Sequence, residues 1–416
     1  MENIVLENNI TKALLISLDL GDDDFEISLE ELRELSRTAG AEVCGVMTQK
    51  RSSPEPATCI GTGRLEEAKQ FCEENEIDLI IFDGELSPVQ LRNIERETDT
   101  RTIDRTMLIL DIFAQRAQTS EGKLQVELAQ LRYMLPRLTG KGIEMSRLGG
   151  GIGTRGPGET KLETDRRHIR RRIESLSERL DEVEQRRTRM RERRRRDGVV
   201  TAAVVGYTNA GKSTLLNRLT DAGVLAEDKL FATLDPTARA LVLPSGAQVL
   251  LVDTVGFIRR LPHHLVKAFR STLGEAKEAD IIIHLCDGSD PQFRSQLEVS
   301  SKLLEELGAG DKPTVTVINK CDLCDNEALL GTRGVRISAL TGFGIDSLLE
   351  AIEEAMPSKP IRMKLLLPFD KLSLAAQIRE TGDILSEEYT ADGLLVDALA
   401  DRITAARYEL EKYITE

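Results

Sequence analysis

Apolar runs alternate with amphipathic stretches over residues 11–102 of the chain. The runs are short and rich in Ile, Leu and Val, which favours strands, whereas the stretches between them repeat apolar residues at helical spacing. The runs lie at 13–18, 42–47 and 78–83, and the helical stretches at 29–39 and 64–74. Strands that alternate with helices favour a parallel sheet, so we predict an N-terminal α/β domain over residues 1–104.

Two apolar series with spacings of three and four residues flank a glycine-rich segment, and such spacings are typical of helices that pack along one face. They comprise Leu124, Leu128, Leu131, Leu135 and Leu138, and then Ile169, Ile173, Leu176, Leu180, Val183 and Met190. The segment between them, 140–158, has eight glycines in 19 residues and cannot hold a packed core. We predict an antiparallel helical hairpin over 105–197 with this segment as its tip.

A second α/β region follows the hairpin. Its β-branched runs predict buried strands, and they lie at 199–205, 248–252, 314–318 and 334–337. We assign this domain to residues 198–356. After the Pro-Ser-Lys-Pro segment 357–360, the pattern predicts a small C-terminal α/β module over 357–416.

The loop after the first of these strands has the glycine pattern that wraps a phosphate chain. Gly206 and Gly211 let backbone N–H groups point inward, Lys212 reaches the β- and γ-phosphates, and Ser213 ligates Mg²⁺. Strand, loop and helix follow in the order that supports a P-loop. The predicted nucleotide contacts here are Gly206, Tyr207, Thr208, Asn209, Ala210, Gly211, Lys212, Ser213 and Thr214.

Two further segments are predicted to sense the γ-phosphate. Asp253 ends a strand, where a carboxylate holds Mg²⁺ through water, and Gly256 lets the backbone approach the γ-phosphate. Thr233 is predicted to close over Mg²⁺ and the γ-phosphate; Thr237 is the alternative, and the preference rests on resemblance to GTPases with a Phe-x-Thr-Leu switch. The predicted catalytic residues are Lys212, Thr233 and Gly256, and the predicted contacts are Phe231, Ala232, Thr233, Asp253, Thr254, Val255 and Gly256.

Base selection is assigned to two loops that follow later strands. A carboxylate at Asp322 accepts two hydrogen bonds from guanine, whereas adenine would leave it desolvated and unpaired. The predicted base contacts are Asn319, Lys320 and Asp322, and Ser338, Ala339 and Leu340. The segments together indicate GTP, and the predicted fold class is α/β: a P-loop GTPase domain with a mixed, mostly parallel sheet, preceded by an α/β domain and a long hairpin.

Phe257 follows Gly256, where many signalling GTPases carry a glutamine that orients the attacking water. An apolar side chain cannot do this, and an arginine from a partner is worth about 10³–10⁵ in rate. We therefore expect slow intrinsic hydrolysis that a partner accelerates. His263 and His264 are alternative contributors, although histidines in a mobile switch are more often bystanders.

Charge is distributed unevenly along the 416 residues. The net charge is −14, but residues 161–197 contain 15 Lys/Arg and 9 Asp/Glu, a net of +6, which leaves −20 for the rest. A local basic surface on a helical arm favours RNA phosphates, with a solvated charged coiled coil as the alternative. The predicted RNA contacts are Lys141, Arg147, Gly149, Gly150, Gly151, Arg155, Arg166 and Arg167.

The compartment is inferred from absences in the sequence. There is no signal peptide and no apolar run of membrane-spanning length, and the six cysteines are interpreted as reduced thiols. We expect a cytoplasmic monomer, with peripheral membrane association left open.

The chain resembles the HflX-type ribosome-associated GTPases over about residues 10–356. The resemblance rests on the segment 149–167, on the P-loop 206–213, on 231–235 and on 253–257. It implies GTP-dependent binding to the large ribosomal subunit, with the hairpin tip near the peptidyl-transferase centre, and splitting of stalled or hibernating ribosomes under stress. It also implies an ATP-linked RNA-remodelling role for the N-terminal domain. A signalling GTPase whose hairpin docks a protein, and an ATP-driven RNA remodeller, are the alternatives.

Overall fold

The structure is a computed structural model that describes most of the chain. The described residues are 11–22, 24–138, 161–196, 199–220, 231, 237–259, 270–324, 331–356, 361–400, 405 and 408–415. Within them lie three sheets, two of them built mainly from parallel strands. The predicted α/β class is confirmed, whereas the predicted domain boundaries stay predictions.

The N-terminal domain is a parallel sheet with strand order β2-β1-β3-β4. The central strand β1 is apolar and its residues 13–16 are almost fully buried, as a strand covered on both faces requires. Helix α3 begins with a capping box in which Ser87 and Gln90 bond each other's backbone N–H. The elements are β1 (Thr11–Asp19), α1 (Phe25–Thr38), β2 (Ala41–Lys50), α2 (Thr62–Asn75), β3 (Leu79–Asp83), α3 (Pro88–Thr98) and β4 (Arg101–Asp104).

Three helices follow the first sheet: α4 (Arg105–Arg116), α5 (Ser120–Met134) and α6 (Lys161–Arg196). Helix α4 packs against the sheet, whereas α5 and α6 form the arms of the hairpin. Cross-arm contacts pair Arg187 with Glu121, Arg172 with Glu127 and Arg166 with Leu138, so the arms run antiparallel. Their apolar seam is Leu124, Leu128 and Leu176, with Leu131, Ile173 and Leu180 beside it.

The third group of elements has strand order β10-β9-β8-β5-β7-β6, with only β6 antiparallel to its neighbour. Parallel strands bring their carboxyl ends to one edge, so β5, β7, β8 and β9 end side by side there. The elements are β5 (Val200–Gly206), α7 (Lys212–Thr220), β6 (Ala238–Val242), β7 (Gln248–Asp253), α8 (Arg270–Glu278), β8 (Ile281–Asp287), α9 (Phe293–Glu306), β9 (Thr314–Asn319), β10 (Val335–Arg336) and α10 (Ile345–Ala355).

The C-terminal module is an antiparallel sheet of order β11-β13-β12 with one helix packed against it. Its elements are β11 (Ile361–Leu367), α11 (Ser373–Thr381), β12 (Asp383–Thr390) and β13 (Gly393–Ala400). Among the helices that the structure describes, none is both long and apolar enough to cross a membrane.

One apolar core runs from the N-terminal domain into the domain that holds the P-loop. The ring of Phe113 at the end of α4 meets the ring of Phe231 edge to face, with 4.7 Å between centroids. Phe257 belongs to the same core. The nucleotide loops are therefore packed against the N-terminal domain.

Candidate nucleotide-binding site

The loop between β5 and α7 requires glycine at two positions. Gly206 has φ 156°, and a Cβ added there would lie 2.1 Å from the Leu285 carbonyl oxygen. Gly211 has φ 91°, and its Cβ would lie 2.2 Å from Asn319 Nδ2. Both positions combine a left-handed backbone with a close approach, so a side chain at either one would deform the loop.

Lys212 is held at the centre of this loop. Its ammonium group is buried and donates to the carbonyl oxygens of Gly206, at 3.1 Å, and Tyr207, at 2.7 Å. Burial lowers the pKa of Lys212 to about 8, and the Asp253 carboxylate opposes this shift. The charge is thus already positioned for a phosphate chain.

Nucleotide binding should be coupled to protonation of Lys212. Phosphates stabilise the ammonium form, so the pKa of Lys212 in the complex lies above its value of about 8 in the free protein. Affinity is then greatest below that pH and falls as the pH rises above it, because binding must first add a proton. At about pH 8.5, GDP binding should take up most of one proton.

Calorimetry in two buffers with different protonation enthalpies measures this uptake. Lys212→Arg is the matched control, because a guanidinium does not titrate in this range. Equal uptake in both proteins would contradict the assignment to Lys212.

The segment after β7 packs directly against the P-loop. Asp253 is fully buried, and its Oδ1 accepts from the Thr254 N–H at 3.0 Å. A Cβ at Gly256 would lie 2.8 Å from Thr208 Cγ2 and 3.0 Å from Lys212 Nζ. Only glycine lets the backbone come this close, which is the geometry expected of a γ-phosphate sensor.

The residues around this edge fit a hydrated Mg²⁺ ion. Ser213 lies in the first turn of α7, and the Asp253 carboxylate lies at the end of the neighbouring strand. Hydroxyl and carboxylate oxygens are the donors that Mg²⁺ prefers. The buried Thr208 hydroxyl has no hydrogen-bond partner within the described residues, which also suits a site that receives oxygen atoms.

Phe257 is buried between the P-loop and the N-terminal domain, with 1% of its surface exposed. Its N–H donates to the Gly206 carbonyl oxygen at 3.0 Å, and its carbonyl oxygen accepts from the Thr208 N–H at 2.8 Å. These bonds extend the pairing of β5 and β7 beyond the sheet. The side chain is part of the core and cannot reach an attacking water.

Replacing Phe257 by Gln should not create a faster GTPase. The amide would enter an apolar core, so we expect the free energy of unfolding to fall by about 3–5 kcal/mol. We expect the basal rate of hydrolysis not to increase. Urea unfolding and GTP turnover measure the two effects. Phe369→Gln is the control, because Phe369 is 56% exposed. A higher basal rate in the Phe257 variant would show that this position does reach the water.

A cavity of about 220 Å³ lies beside the P-loop, where the base-recognition loops meet. Its rim carries Asp322, which is exposed, and its floor carries the Asn319 side chain. The predicted residues Asn209, Gly211, Thr214, Asn319, Lys320, Asp322, Ser338, Ala339 and Leu340 line it together with Leu323. Thus loops from three separate parts of the chain converge at one cavity.

Asn319 links two of these loops. Its Nδ2 donates to the Ala210 carbonyl oxygen at 2.8 Å, and its Oδ1 accepts from the Ala339 N–H at 2.9 Å. Lys320 pairs with Asp287 at 2.7 Å across the ends of β8 and β9. Asp287 and Leu323 are additions to the predicted site. Asp287 ends strand β8 at the same edge of the sheet as Asp253 and Asn319, which is the signal by which it could have been predicted.

Several predicted positions lie outside the described residues. They are Ala232 and Thr233, the hairpin-tip residues Lys141, Arg147, Gly149, Gly150, Gly151 and Arg155, and the histidines His263 and His264. Phe231 is described and buried. Of the predicted rRNA contacts on α6, Arg167 is exposed, whereas Arg166 donates to the Leu138 carbonyl oxygen at the tip end of the two arms.

The mostly parallel sheet, the glycine loop with its buried lysine, and the cavity beside Asp322 together define a P-loop GTPase. Family models match the chain in three parts: "GTP-binding GTPase N-terminal" at residues 26–114, "GTP-binding GTPase Middle Region" at 116–194 and "50S ribosome-binding GTPase" at 201–320. A relative called GTPase HflX from Caldanaerobacter subterraneus is 50% identical over 387 residues, which are 93% of this chain and 90% of its own. The chain therefore belongs to the HflX family of GTPases.

Relatives called GTPase HflX are similar over nearly the whole chain. The relative from Lacrimispora saccharolytica is 51% identical over 402 residues, which are 95% of each chain. The one from Escherichia coli is 42% identical over 389 residues, 92% of this chain and 91% of its own. A solved GTP-binding protein from Sulfolobus solfataricus in complex with GDP is 27% identical, covers 83% of this chain and 98% of its own, and has a TM-score of 0.44.

Proposed function

We propose that this protein binds the large ribosomal subunit in its GTP state, splits stalled or hibernating ribosomes, and hydrolyses GTP rapidly only on the subunit. The observation that carries the proposal is the burial of Phe257 in the interdomain core. A GTPase with an apolar side chain at this position needs another group to position the attacking water. The match to a 50S ribosome-binding GTPase model over 201–320 supports the subunit as that source.

The catalytic roles follow from the geometry of the loops. Lys212 would contact the β- and γ-phosphates and neutralise developing charge, while the Gly256 N–H would meet the γ-phosphate. Ser213 and Asp253 would hold Mg²⁺, joined by Thr233, which lies outside the described residues. When bound, the ion would supply positive charge that offsets the negative charge of the phosphates. Asp322 at the rim of the cavity would select guanine.

Helix α6 supplies a surface suited to RNA. Its described residues present arginines to solvent at several turns, and these include Arg167, Arg170, Arg171, Arg179, Arg186 and Arg189. Guanidinium groups bind phosphate through paired hydrogen bonds. The family resemblance assigns the segment 140–158 to the same contact.

Hydrolysis measured with and without purified large subunits tests the function. We expect a slow basal rate that saturating large subunits raise by about 10³-fold. Small subunits at the same concentration are the control. Light scattering of intact ribosomes with GTP, compared with GDP, measures splitting. An unchanged rate with large subunits would refute the proposal and favour a signalling GTPase with a protein partner.

Substitution of an exposed arginine on α6 should change the salt dependence of subunit binding. If Arg167 contacts a phosphate, Arg167→Gln should lower the slope of log affinity against log salt by about 0.7–0.9. Binding titrations at several salt concentrations give the slope. Arg96→Gln on α3 is the control, since Arg96 is also exposed but lies outside the hairpin. Identical slopes in the Arg167 variant and the unmodified protein would exclude this contact.

A further inference from the structure

Asp104 and Arg105, adjacent at the junction of β4 and α4, face two different parts of the molecule. Both side chains are buried, with 0% and 1% exposure. Asp104 caps α4, because its Oδ1 accepts from the Met107 N–H at 2.9 Å. Two residues adjacent in sequence therefore contact two different parts of the molecule at the junction of β4 and α4.

Arg105 connects to the nucleotide loops. Its guanidinium pairs with Glu31 and with Asp83, the latter at 2.9 Å, and donates to the carbonyl oxygen of Arg259 at 3.3 Å. Glu31 in turn accepts from the hydroxyl of Tyr207 in the P-loop. The N-terminal domain thus contacts both sides of the phosphate site.

Arg259 lies three residues after Gly256, and its main chain is held from both sides. Its N–H donates to the Tyr207 hydroxyl at 2.6 Å and to Glu31 at 3.3 Å. Its side chain pairs with Asp24 at 3.4 Å and donates to Ser295 at 2.8 Å. The position of the segment after Gly256 therefore depends on residues of α1 and β4–α4.

Asp104 connects to the hairpin arm α5 at the end that leads into the tip segment. The Tyr133 hydroxyl near the end of α5 donates to Asp104. Arg137 donates to that hydroxyl at 2.6 Å and to the Leu86 carbonyl oxygen at 2.8 Å, and its guanidinium lies 3.4 Å from the Tyr133 ring centroid. The arm α5 is thus fastened to the same junction that reaches the nucleotide loops.

The charges in this network favour one defined arrangement. Burial and the neighbouring Glu31 carboxylate raise the pKa of Tyr207. Burial and the neighbouring Asp104 carboxylate raise the pKa of Tyr133 in the same way, so both hydroxyls stay protonated and act as donors. Burial lowers the pKa of Arg105, but the charges of Glu31 and Asp83 raise it by more. The pKa is therefore raised overall, and the guanidinium stays charged. A buried polar network that is satisfied only in part is costly, so the contacts of this network favour a single arrangement.

We propose that Asp104 and Arg105 couple the helical hairpin to the segment after Gly256, and that Glu31 and Tyr133 are positioning residues for subunit-stimulated GTP hydrolysis. The inference rests on the proposed function. A force on the hairpin passes through Tyr133 to Asp104, and through Arg105 to the main chain of Arg259. Coupling between binding equilibria is reciprocal, so a bound γ-phosphate should also bias the end of α5 that leads into the tip segment.

Two near-isosteric variants test the two ends of this path in the full chain. Glu31→Gln removes the negative charge that pairs with Arg105, and Tyr133→Phe removes the hydroxyl that donates to Asp104. Each should lower the maximal rate at saturating large subunits by about tenfold, within the usual range of coupling between sites. The basal rate, the GTP dissociation constant and the subunit concentration for half-maximal stimulation should stay within about twofold.

Matched controls separate coupling from loss of structure. Glu34→Gln removes an exposed carboxylate on the same helix, paired with Arg37, and Tyr389→Phe removes an exposed hydroxyl in the C-terminal module. Both should behave like the unmodified protein. The Glu31 and Tyr133 double variant should lose no more stimulation than the stronger single variant, because both interrupt one path.

Three results would overturn the coupling. They are full stimulation in both single variants, additive losses in the double variant, and a higher subunit concentration for half-maximal stimulation, which would assign the residues to binding. An unmodified protein that large subunits do not stimulate would instead refute the proposed function, and the coupling would fall with it.

Discussion

Replacement of Lys212 by methionine should lower the affinity for GTP and GDP by about 10³-fold, the loss expected for two charge-assisted contacts to phosphate. The ammonium group is buried and already held by the carbonyl oxygens of Gly206 and Tyr207. No neighbouring cation replaces it among the residues that line the described loop. Methionine keeps the volume, so the loop stays filled while the charge is lost.

Fluorescent-nucleotide titration measures this loss, and Lys302→Met on the exposed face of α9 is the control. An affinity within about tenfold of the unmodified protein would mean that Lys212 does not contact the phosphates. The same variant tests the alternative of an ATP-driven remodeller. ATP turnover that survives Lys212→Met would have to come from a second site.

Asp322→Asn should change which base the protein accepts. The carboxylate accepts from guanine N1–H and the exocyclic amine, whereas an asparagine amide presents a donor that suits the oxygen of xanthine. We expect GTP binding to weaken by about 10²–10³-fold and XTP binding to strengthen, because a mismatched donor leaves buried polar groups unpaired. Asp322 lies exposed at the cavity rim, so the fold should be unaffected.

Competition between GTP and XTP for the fluorescent nucleotide measures the preference. Asp311→Asn, an exposed carboxylate in the loop before β9, is the control. Retained guanine selectivity in Asp322→Asn would show that the base-recognition loop is misassigned. The thermal midpoint of both variants should match the unmodified protein.

Much of the fold could be predicted because its signals are local. The β-branched runs predicted at 199–205 and 314–318 correspond to the parallel strands β5 and β9, and the apolar series around Leu128 and Leu176 form the seam of the hairpin. These patterns depend only on residue spacing along one element. Helix α5 is shorter than the first apolar series predicts, because it ends at Met134 and Leu135 lies in the 3₁₀ turn that follows.

The site was predictable in outline but not in how its parts are held. Asn319 was assigned to guanine from its motif, and the structure adds that its amide joins the P-loop to the Ser338–Leu340 loop. Phe257 was identified as unable to orient water, but its burial against the N-terminal domain depends on packing between elements far apart in sequence. Spacing along the chain carries no signal for such contacts.

The sequence by itself determined the nucleotide chemistry of this protein, because glycines at 206 and 211, a lysine at 212 and a carboxylate at 322 act through backbone freedom and charge, which are properties of the residue type. Only the tertiary structure decided which parts of the N-terminal domain contact that site. Arg105 and Arg259 are 154 positions apart, and they meet because two α/β domains share one core. The two residues come into contact because many apolar side chains of both domains pack together. No single sequence motif encodes that packing.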